Sequence, residues 1–405
     1  MPFDIARNIN EEFGSGHELT WATFALRRPG TISRFASGFL WFIEDVVLCA
    51  ASHGKILNIQ DLRRKASEVA NLASEAQQRI FVTGATGFIG AHFLRAAVTV
   101  GHQVDALTRS KDCAASLSSL GATAIVGDLS DAEGVWREAL TNADAVVHLA
   151  QPQTFGGRLT KARARQYCVR RLKMDRALFH AIDPAKTRRI IYVAGTSYYG
   201  ECGSMVCDEN DVPHPMGWGP YLAPAIESLP GYVARGLPIV AAFPGWVYGP
   251  GSWFAQYVLE PLFAGKPVYG LRGRAKYTSP VHVDDCARAL LHLIDHGEVG
   301  SRYFIVDDAP VPSERLAELA AEALGVNGRG RKLPFVMLKL LSGQVVAESL
   351  AYENRLSNNR LRSTGFSFKY PSCEQGVPQA VGMWLKEAAS AQQSTNPTIS
   401  DRNDV

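Results

Sequence analysis

Three glycines, Gly84, Gly87 and Gly90, recur at three-residue intervals in the run IFVTGATGFIG at residues 80–90. A residue without a Cβ lets the backbone approach a ligand closely, and phosphate oxygens accept bare N–H groups at the start of a helix. Pyrophosphate binding is the chemistry this spacing can do; a tight turn packed by glycines would show the same spacing. The flanks argue for the first. Arg79 to Thr83 is a β-branched, aromatic run and Phe88 to Val98 has apolar residues at helical intervals, so the turn joins a strand to a helix.

Other chemistries have less support. The seven cysteines are dispersed and never spaced as a CxxC pair, and Cys202 and Cys207 fall in a Gly-rich loop. That pattern predicts reduced thiols, no metal site and a cytoplasmic location. Lys and Arg are scattered over a chain with net charge +3, apart from Arg163, Arg165, Arg170, Arg171 and Lys173. This is too thin for a nucleic-acid surface, and the cluster reads as a solvated helix face, with a phosphate as a second candidate. The N-terminus MPFDIARNINEEF has no secretory pattern, and the apolar stretch 35–51 is interrupted by Glu44 and Asp45, so no transmembrane segment is expected.

The elements that must position the turn follow from periodicity. With 46% hydrophobic residues in 405, the chain can bury a large core. Residues 1–78 predict a helical N-terminal extension with no readable chemistry. From residue 79 strands alternate with helices: strands at 79–83, 103–108, 123–126, 144–149, 189–194 and 238–243, helices at 88–99, 130–140, 162–182 and 222–235. This predicts an α/β fold, a Rossmann-type doubly wound parallel sheet over 79–250. Beyond it, helices at 284–296, 313–324 and 334–350 and a strand at 302–306 make a smaller C-terminal substrate-binding lobe, 251–388, with the loop 200–220 contributing. The polar stretch 389–405 predicts a disordered tail.

Five motifs in order resemble the extended branch of the short-chain dehydrogenase/reductase superfamily, the epimerases, dehydratases and reductases. They are TGATGFIG at 83–90, GDLSD at 127–131, VVHLA at 146–150, PGWVYGPG at 244–251 and SPVHVDDCARA at 279–289. The resemblance covers residues 79–387. It implies a dinucleotide held by Gly84, Thr86, Gly87, Phe88, Ile89 and Gly90 at the phosphates, and by Asp128 and Leu129 at the adenine. Leu149, Ala150 and Gln151, with Pro244, Gly245 and Val247, would lie at the nicotinamide end. At the end of the second strand, where NAD-preferring members carry an acid, stand Thr108 and Arg109. A guanidinium can pair with a 2′-phosphate, so NADP is the expected cofactor and NAD the second candidate. Asp284 and Asp285 read as helix caps, and His282 as a buried hydrogen-bonding residue.

At the catalytic centre the sequence departs from the family pattern. Members use a Tyr, a Lys four residues later that lowers the phenol's pKa, and a Ser or Thr. Tyr221 in GPYLAPAIES is the Tyr candidate, but Ala225 stands four residues on; the alternative alignment places Trp218 and Leu222 at the two positions. Gly195 falls where the hydroxyl is expected, with Thr196 and Ser197 beside it. Pro224 and Pro230 are expected to disturb this helix. Candidate catalytic residues are therefore Tyr221, Thr196 and Ser197. The expected function is an NAD(P)-dependent oxidoreductase or epimerase/dehydratase-like enzyme acting on a carbonyl or hydroxyl of a small-molecule substrate, a sugar nucleotide or a secondary metabolite. A non-redox cyclase, isomerase or lyase and a dinucleotide sensor are the alternatives. The aromatics Trp218, Tyr221, Trp246, Tyr248 and Trp253 and the cations Arg272, Arg274 and Lys276 are expected around the pocket, and a homodimer is a candidate assembly.

Overall fold

The computed structural model describes residues 77–131, 133–152, 158–273, 276–328 and 330–395. The expected N-terminal extension, but for Gln77 and Gln78, and Arg274 lie outside them.

Seven strands form one parallel sheet: β1 (Arg79–Thr83), β2 (Gln103–Thr108), β3 (Thr123–Val126), β4 (Ala145–His148), β5 (Arg189–Val193), β6 (Ile239–Pro244) and β7 (Arg302–Ile305), in the order β7-β6-β5-β4-β1-β2-β3. The strand residues alternate between two cores, because side chains along a strand point to opposite faces. Ile80 and Val82 pack on one face with Phe93 and Leu94 of helix α1 (Phe88–Thr99). Phe81 and Val146 pack on the other with Trp136 of α3 (Trp136–Thr141), Leu178 of α4 (Lys161–Ala181) and Ile226 of α5 (Gly219–Val233). Between them, α2 (Lys111–Ser119) links β2 to β3. Each fully buried side chain of this kind contributes roughly 1.5–3 kcal/mol. Chain order reverses between β1 and β4, and at such a switch point the loops diverge and open a crevice at the strand ends.

Helix α6 (Val283–His296) packs on the first core face and leads into β7. A third core joins Tyr248, Phe254, Leu259 and Leu262 to α7 (Arg315–Leu324) and the final helix, α10 (Cys373–Thr395). Helix α10 was not read from the sequence, and it occupies residues 389–395 of the stretch expected to be disordered. The helix expected at 334–350 is two, α8 (Phe335–Ser342) and α9 (Gln344–Ser349), broken at Gly343 with φ +96°. There a Cβ would come within 2.7 Å of the Leu159 backbone nitrogen, so two chain segments touch where only glycine fits. The helix expected at 130–140 begins only at Trp136, because Asp131 makes a turn instead: its carboxylate accepts from the Glu133 N–H at 3.1 Å and its carbonyl from Trp136 Nε1 at 3.0 Å. Pro224 and Pro230 leave α5 continuous, contrary to expectation.

Candidate functional site

The crevice at the strand ends is a cavity of about 2430 Å³. Single-ligand pockets span ~300–1,000 Å³, so this one has room for a dinucleotide and a second ligand. Its phosphate end is built by the turn after β1. Gly84 has φ +77°, and a Cβ there would come within 2.6 Å of the Ala150 nitrogen, so the turn lies pressed against the chain leaving β4. A Cβ on Gly90 would collide with the Gly84 carbonyl oxygen. The Gly87 N–H closes the turn on that oxygen at 3.0 Å, and α1 starts next with no acid in its first turn. Positive dipole, close backbone and absent carboxylate suit an anion. Gly84, Thr86, Gly87, Phe88, Ile89 and Gly90 all line the cavity.

Farther along the cleft lie Thr108, Arg109, Asp128 and Leu129. The Asp128 carboxylate accepts from the Ser130 N–H at 2.8 Å. This hydrogen bond, with Arg109 nearby, holds its pKa below the ordinary carboxylate value against the effect of burial. Thr108 Oγ1 accepts from the Ser110 N–H at 3.2 Å, and Ser110 caps α2; the exposed Arg109 is the side chain left to meet a ligand.

Under the opposite end of the cleft runs a buried polar network. Thr83 Oγ1 lies 2.6 Å from His148 Nδ1 and accepts from the Ala150 N–H at 3.2 Å. His148 Nε2 lies 2.9 Å from Asp175 Oδ1, and the Tyr192 hydroxyl donates to Asp175 Oδ2 at 2.7 Å. The carboxylate can only accept, so Nε2 carries a proton; with the Thr83 hydroxyl donating to Nδ1, the imidazole is neutral. Burial, outweighing the carboxylate, lowers its pKa and keeps it so. Arg171 completes the set: Nε lies 2.8 Å from Asp175 Oδ1, an ion-pair contact without hydrogen-bond alignment, while the two Nη groups donate to the Ala150 and Val193 carbonyls at 3.0 and 3.3 Å. Arg171 is 2% exposed, so it is no part of a solvated face, although its neighbours Arg170 and Lys173 are exposed. Leu149, Ala150, Gln151, Arg170, Arg171, Lys173 and Tyr192 line the cavity here, as do Pro244, Gly245 and Val247 across from them.

At the expected catalytic centre, Gly195, Thr196 and Ser197 line the cavity, and α5 presents Trp218, Leu222 and Ile226 to it, four residues apart on one helix face. A Cβ on Gly195 would lie 3.1 Å from Leu222 Cδ1 and 3.8 Å from Ser197 Oγ. Leucine therefore fills the space beside the missing hydroxyl, with the Ser197 hydroxyl at its edge. The structure does not bring Tyr221 to this centre: it is not among the described residues lining the cavity. It packs in a side cluster with Leu159, Ala164, Val345 and Trp218, one step around the helix. Its phenol pKa is raised by burial and by Glu348.

His282 is the buried hydrogen-bonding residue expected of it, while the cap expected of Asp284 and Asp285 is revised. His282 caps α6, Nδ1 accepting from the Asp284 N–H at 3.1 Å. Asp284 instead pairs with His92 at 2.7 Å, and Asp285 accepts the Lys369 and Tyr370 N–H groups at 2.8 and 2.6 Å. Of the pocket aromatics, Trp246 and Trp253 line the cavity and Tyr248 does not; of the cations, Lys276 does and Arg272 does not; the loop 200–220 contributes only Trp218 among the described residues. Lining residues that sequence reasoning missed include Tyr167, Tyr192 and Tyr352. Tyr167 and Arg171 were legible only as an i, i+4 pair on a helix with little amphipathic contrast. Among the described residues there is no cluster of three or more His, Cys, Asp or Glu side chains able to hold a metal, and no helix long and apolar enough to cross a membrane.

A family model described as the NAD dependent epimerase/dehydratase family matches residues 80–305. The chain belongs to this family. Among relatives of this epimerase/dehydratase chain is a 4-hydroxy-2-methyl-3-oxo-4-farnesyl-3,4-dihydroquinoline-1-oxide ketoreductase of Stigmatella aurantiaca, 26% identical over 265 residues, 64% of this chain and 76% of the relative. Similar solved folds include the human epimerase family protein SDR39U1 with NADPH, at TM-score 0.61 and 21% identity, covering 75% of this chain and 99% of that one. Another is the UDP-glucuronic acid 4-epimerase of Bacillus cereus with UDP-glucuronic acid and NAD, at TM-score 0.63 and 18% identity, covering 76% and 99%.

Proposed function

We infer that this chain is an NAD(P)-dependent oxidoreductase that reduces a carbonyl of a small-molecule substrate, with NADP as its cofactor and NAD as the second choice. One observation carries the reading: a single cavity joins the phosphate turn at Gly84 to Gly90, with Arg109 at one end, to the hydroxyls of Thr196 and Ser197 at the other. The glycine cradle and the helix start fit a dinucleotide's phosphates, Asp128 and Leu129 its adenine, and Arg109 a 2′-phosphate. When bound, the reduced nicotinamide supplies a hydride. The chain's own residues orient the acceptor: Ser197, with Thr196 beside it, offers a hydroxyl to the carbonyl oxygen, and Trp218, Leu222 and Trp246 exclude water from its surroundings.

The ketoreductase relative and the NADPH-bound fold neighbour support carbonyl reduction and NADP. The incomplete Tyr–Lys pair belongs to the same reading: Leu222 faces the cavity where a Lys is expected, and the active site works without that ammonium. A cytoplasmic location and a homodimer complete the proposal; cell fractionation and sedimentation test them. The function itself is tested by titrating the full chain with NADPH and NADH by fluorescence and following NADPH oxidation with a carbonyl panel. Binding with oxidation supports it. Product formed from a carbonyl substrate without any dinucleotide would sink it.

A further inference from the structure

Resting on the reductase reading, we propose that Tyr167 of α4 is the proton donor of this active site and that Arg171, one helical turn on, is its positioning residue. The relay has moved from α5 to the neighbouring helix. Both side chains line the cavity, and residues four apart lie one above the other on a helix face. The Tyr167 ring is 5.1 Å from the Trp218 ring, so its phenol sits against the wall that α5 offers in place of a catalytic tyrosine. Arg171 is anchored by the Ala150 and Val193 carbonyls at 3.0 and 3.3 Å, at the ends of the chain segments that carry Gln151 and Gly195 into the cavity.

The other cavity phenols are either open to solvent, as Tyr257 and Tyr269 are at 61% and 52% exposure, or engaged elsewhere. Tyr192 gives its proton to Asp175 at 2.7 Å, and Tyr352 is buried beside Cys202 and Glu201. The Tyr167 phenol lies by the Arg171 guanidinium, a donor that cannot take its proton, and among the described residues no hydrogen-bond acceptor holds that proton away from a ligand. Burial raises its pKa, and the guanidinium acts the other way. A phenol held protonated is poised to give a proton to the oxygen of a carbonyl undergoing reduction. In the proton step the carbonyl carbon has received hydride from the reduced dinucleotide, which is oxidised, and the carbonyl π pair has moved to oxygen. That oxygen takes the Tyr167 proton; the phenol O–H bond breaks, and water reprotonates the phenolate beside Arg171.

The test is Tyr167→Phe, which keeps the ring and its contact with Trp218. With 9,10-phenanthrenequinone as the carbonyl probe, kcat/KM should fall by about 10²–10⁴-fold while the NADPH dissociation constant stays within about twofold. An independent readout needs no turnover: the infrared carbonyl stretch of the quinone bound with NADP, lowered by a donated hydrogen bond, should return towards its unbound value in Tyr167→Phe. Tyr221→Phe should leave all three measurements unchanged. Turnover within about threefold of wild type, or a loss carried by Tyr221→Phe instead, overturns the assignment and leaves the reductase reading standing. Absence of both NADPH and NADH binding in the wild-type chain removes the reductase reading and this inference with it.

Discussion

Replacing Asp175 by Asn keeps the shape of the side chain and removes one charge from the buried network. Asp175 and Arg171 are each 2% exposed and meet at 2.8 Å, so the guanidinium would stay buried without its counter-ion. Breaking such a pair from one side costs about 3–5 kcal/mol. The amide also cannot accept on both sides as the carboxylate does, from Tyr192 at 2.7 Å and His148 at 2.9 Å, and an unsatisfied donor adds ~1–3 kcal/mol. Against a total of ~5–15 kcal/mol, a loss of roughly 4 kcal/mol is severe. Urea unfolding of the full chain, followed by circular dichroism, should show the midpoint falling at unchanged slope. Arg171→Met in the Asp175→Asn background should recover part of the loss, because the stranded charge is gone. The pH dependence is a further check. Burial would raise the Asp175 pKa, but Arg171 and the hydrogen bonds of His148 and Tyr192 hold it below the ordinary carboxylate value. Its stabilisation is therefore present above pH ~4 and lost as pH falls through the lower folded value, a loss the Asn variant lacks. A cost below about 1 kcal/mol, or a double variant no more stable than Asp175→Asn, would refute the reasoning.

Arg109→Glu should weaken NADPH binding by about 10-fold or more and leave NADH within about twofold, since a charge-assisted contact of ~1.5–3 kcal/mol is replaced by repulsion; equal effects on both cofactors would remove the 2′-phosphate assignment. Gly84→Ala should destabilise the chain by roughly 2–4 kcal/mol and abolish dinucleotide binding, because the left-handed backbone strains alanine and the new Cβ meets the Ala150 backbone. Thermal unfolding and calorimetry check both effects. The folded pKa of the fully buried His148 is lowered, so its unfolded form takes up a proton first as pH drops. Stability should then decline below pH ~6.5 by up to ~1.4 kcal/mol per pH unit from this residue, and His148→Asn should flatten that share of the slope.

The alternation of β-branched runs with helical spacing made the sheet legible before any coordinates, because each strand's two faces are written in consecutive residues. The glycine turn was legible for the same local reason: φ +77° at Gly84 and the contact with Ala150 are demands only glycine meets. Helix α10 escaped because its mostly small and polar residues, with Pro378 near the start, show little periodicity; its burial against α7 makes it a helix. The catalytic centre was the least legible part. Sequence spacing could say that Ala225 is not Lys, but which face of α5 looks into the cavity is fixed by packing on the sheet, and that turned Trp218 and Leu222 inward and Tyr221 aside. Arg171 looked like one of five solvated cations until the strand ends supplied two carbonyls and Asp175 a carboxylate. Local backbone chemistry therefore determined the strand and the glycine turn from sequence alone. The choice of proton donor was left to tertiary structure, because it depends on which side chains from separate helices reach the same few ångströms of cavity.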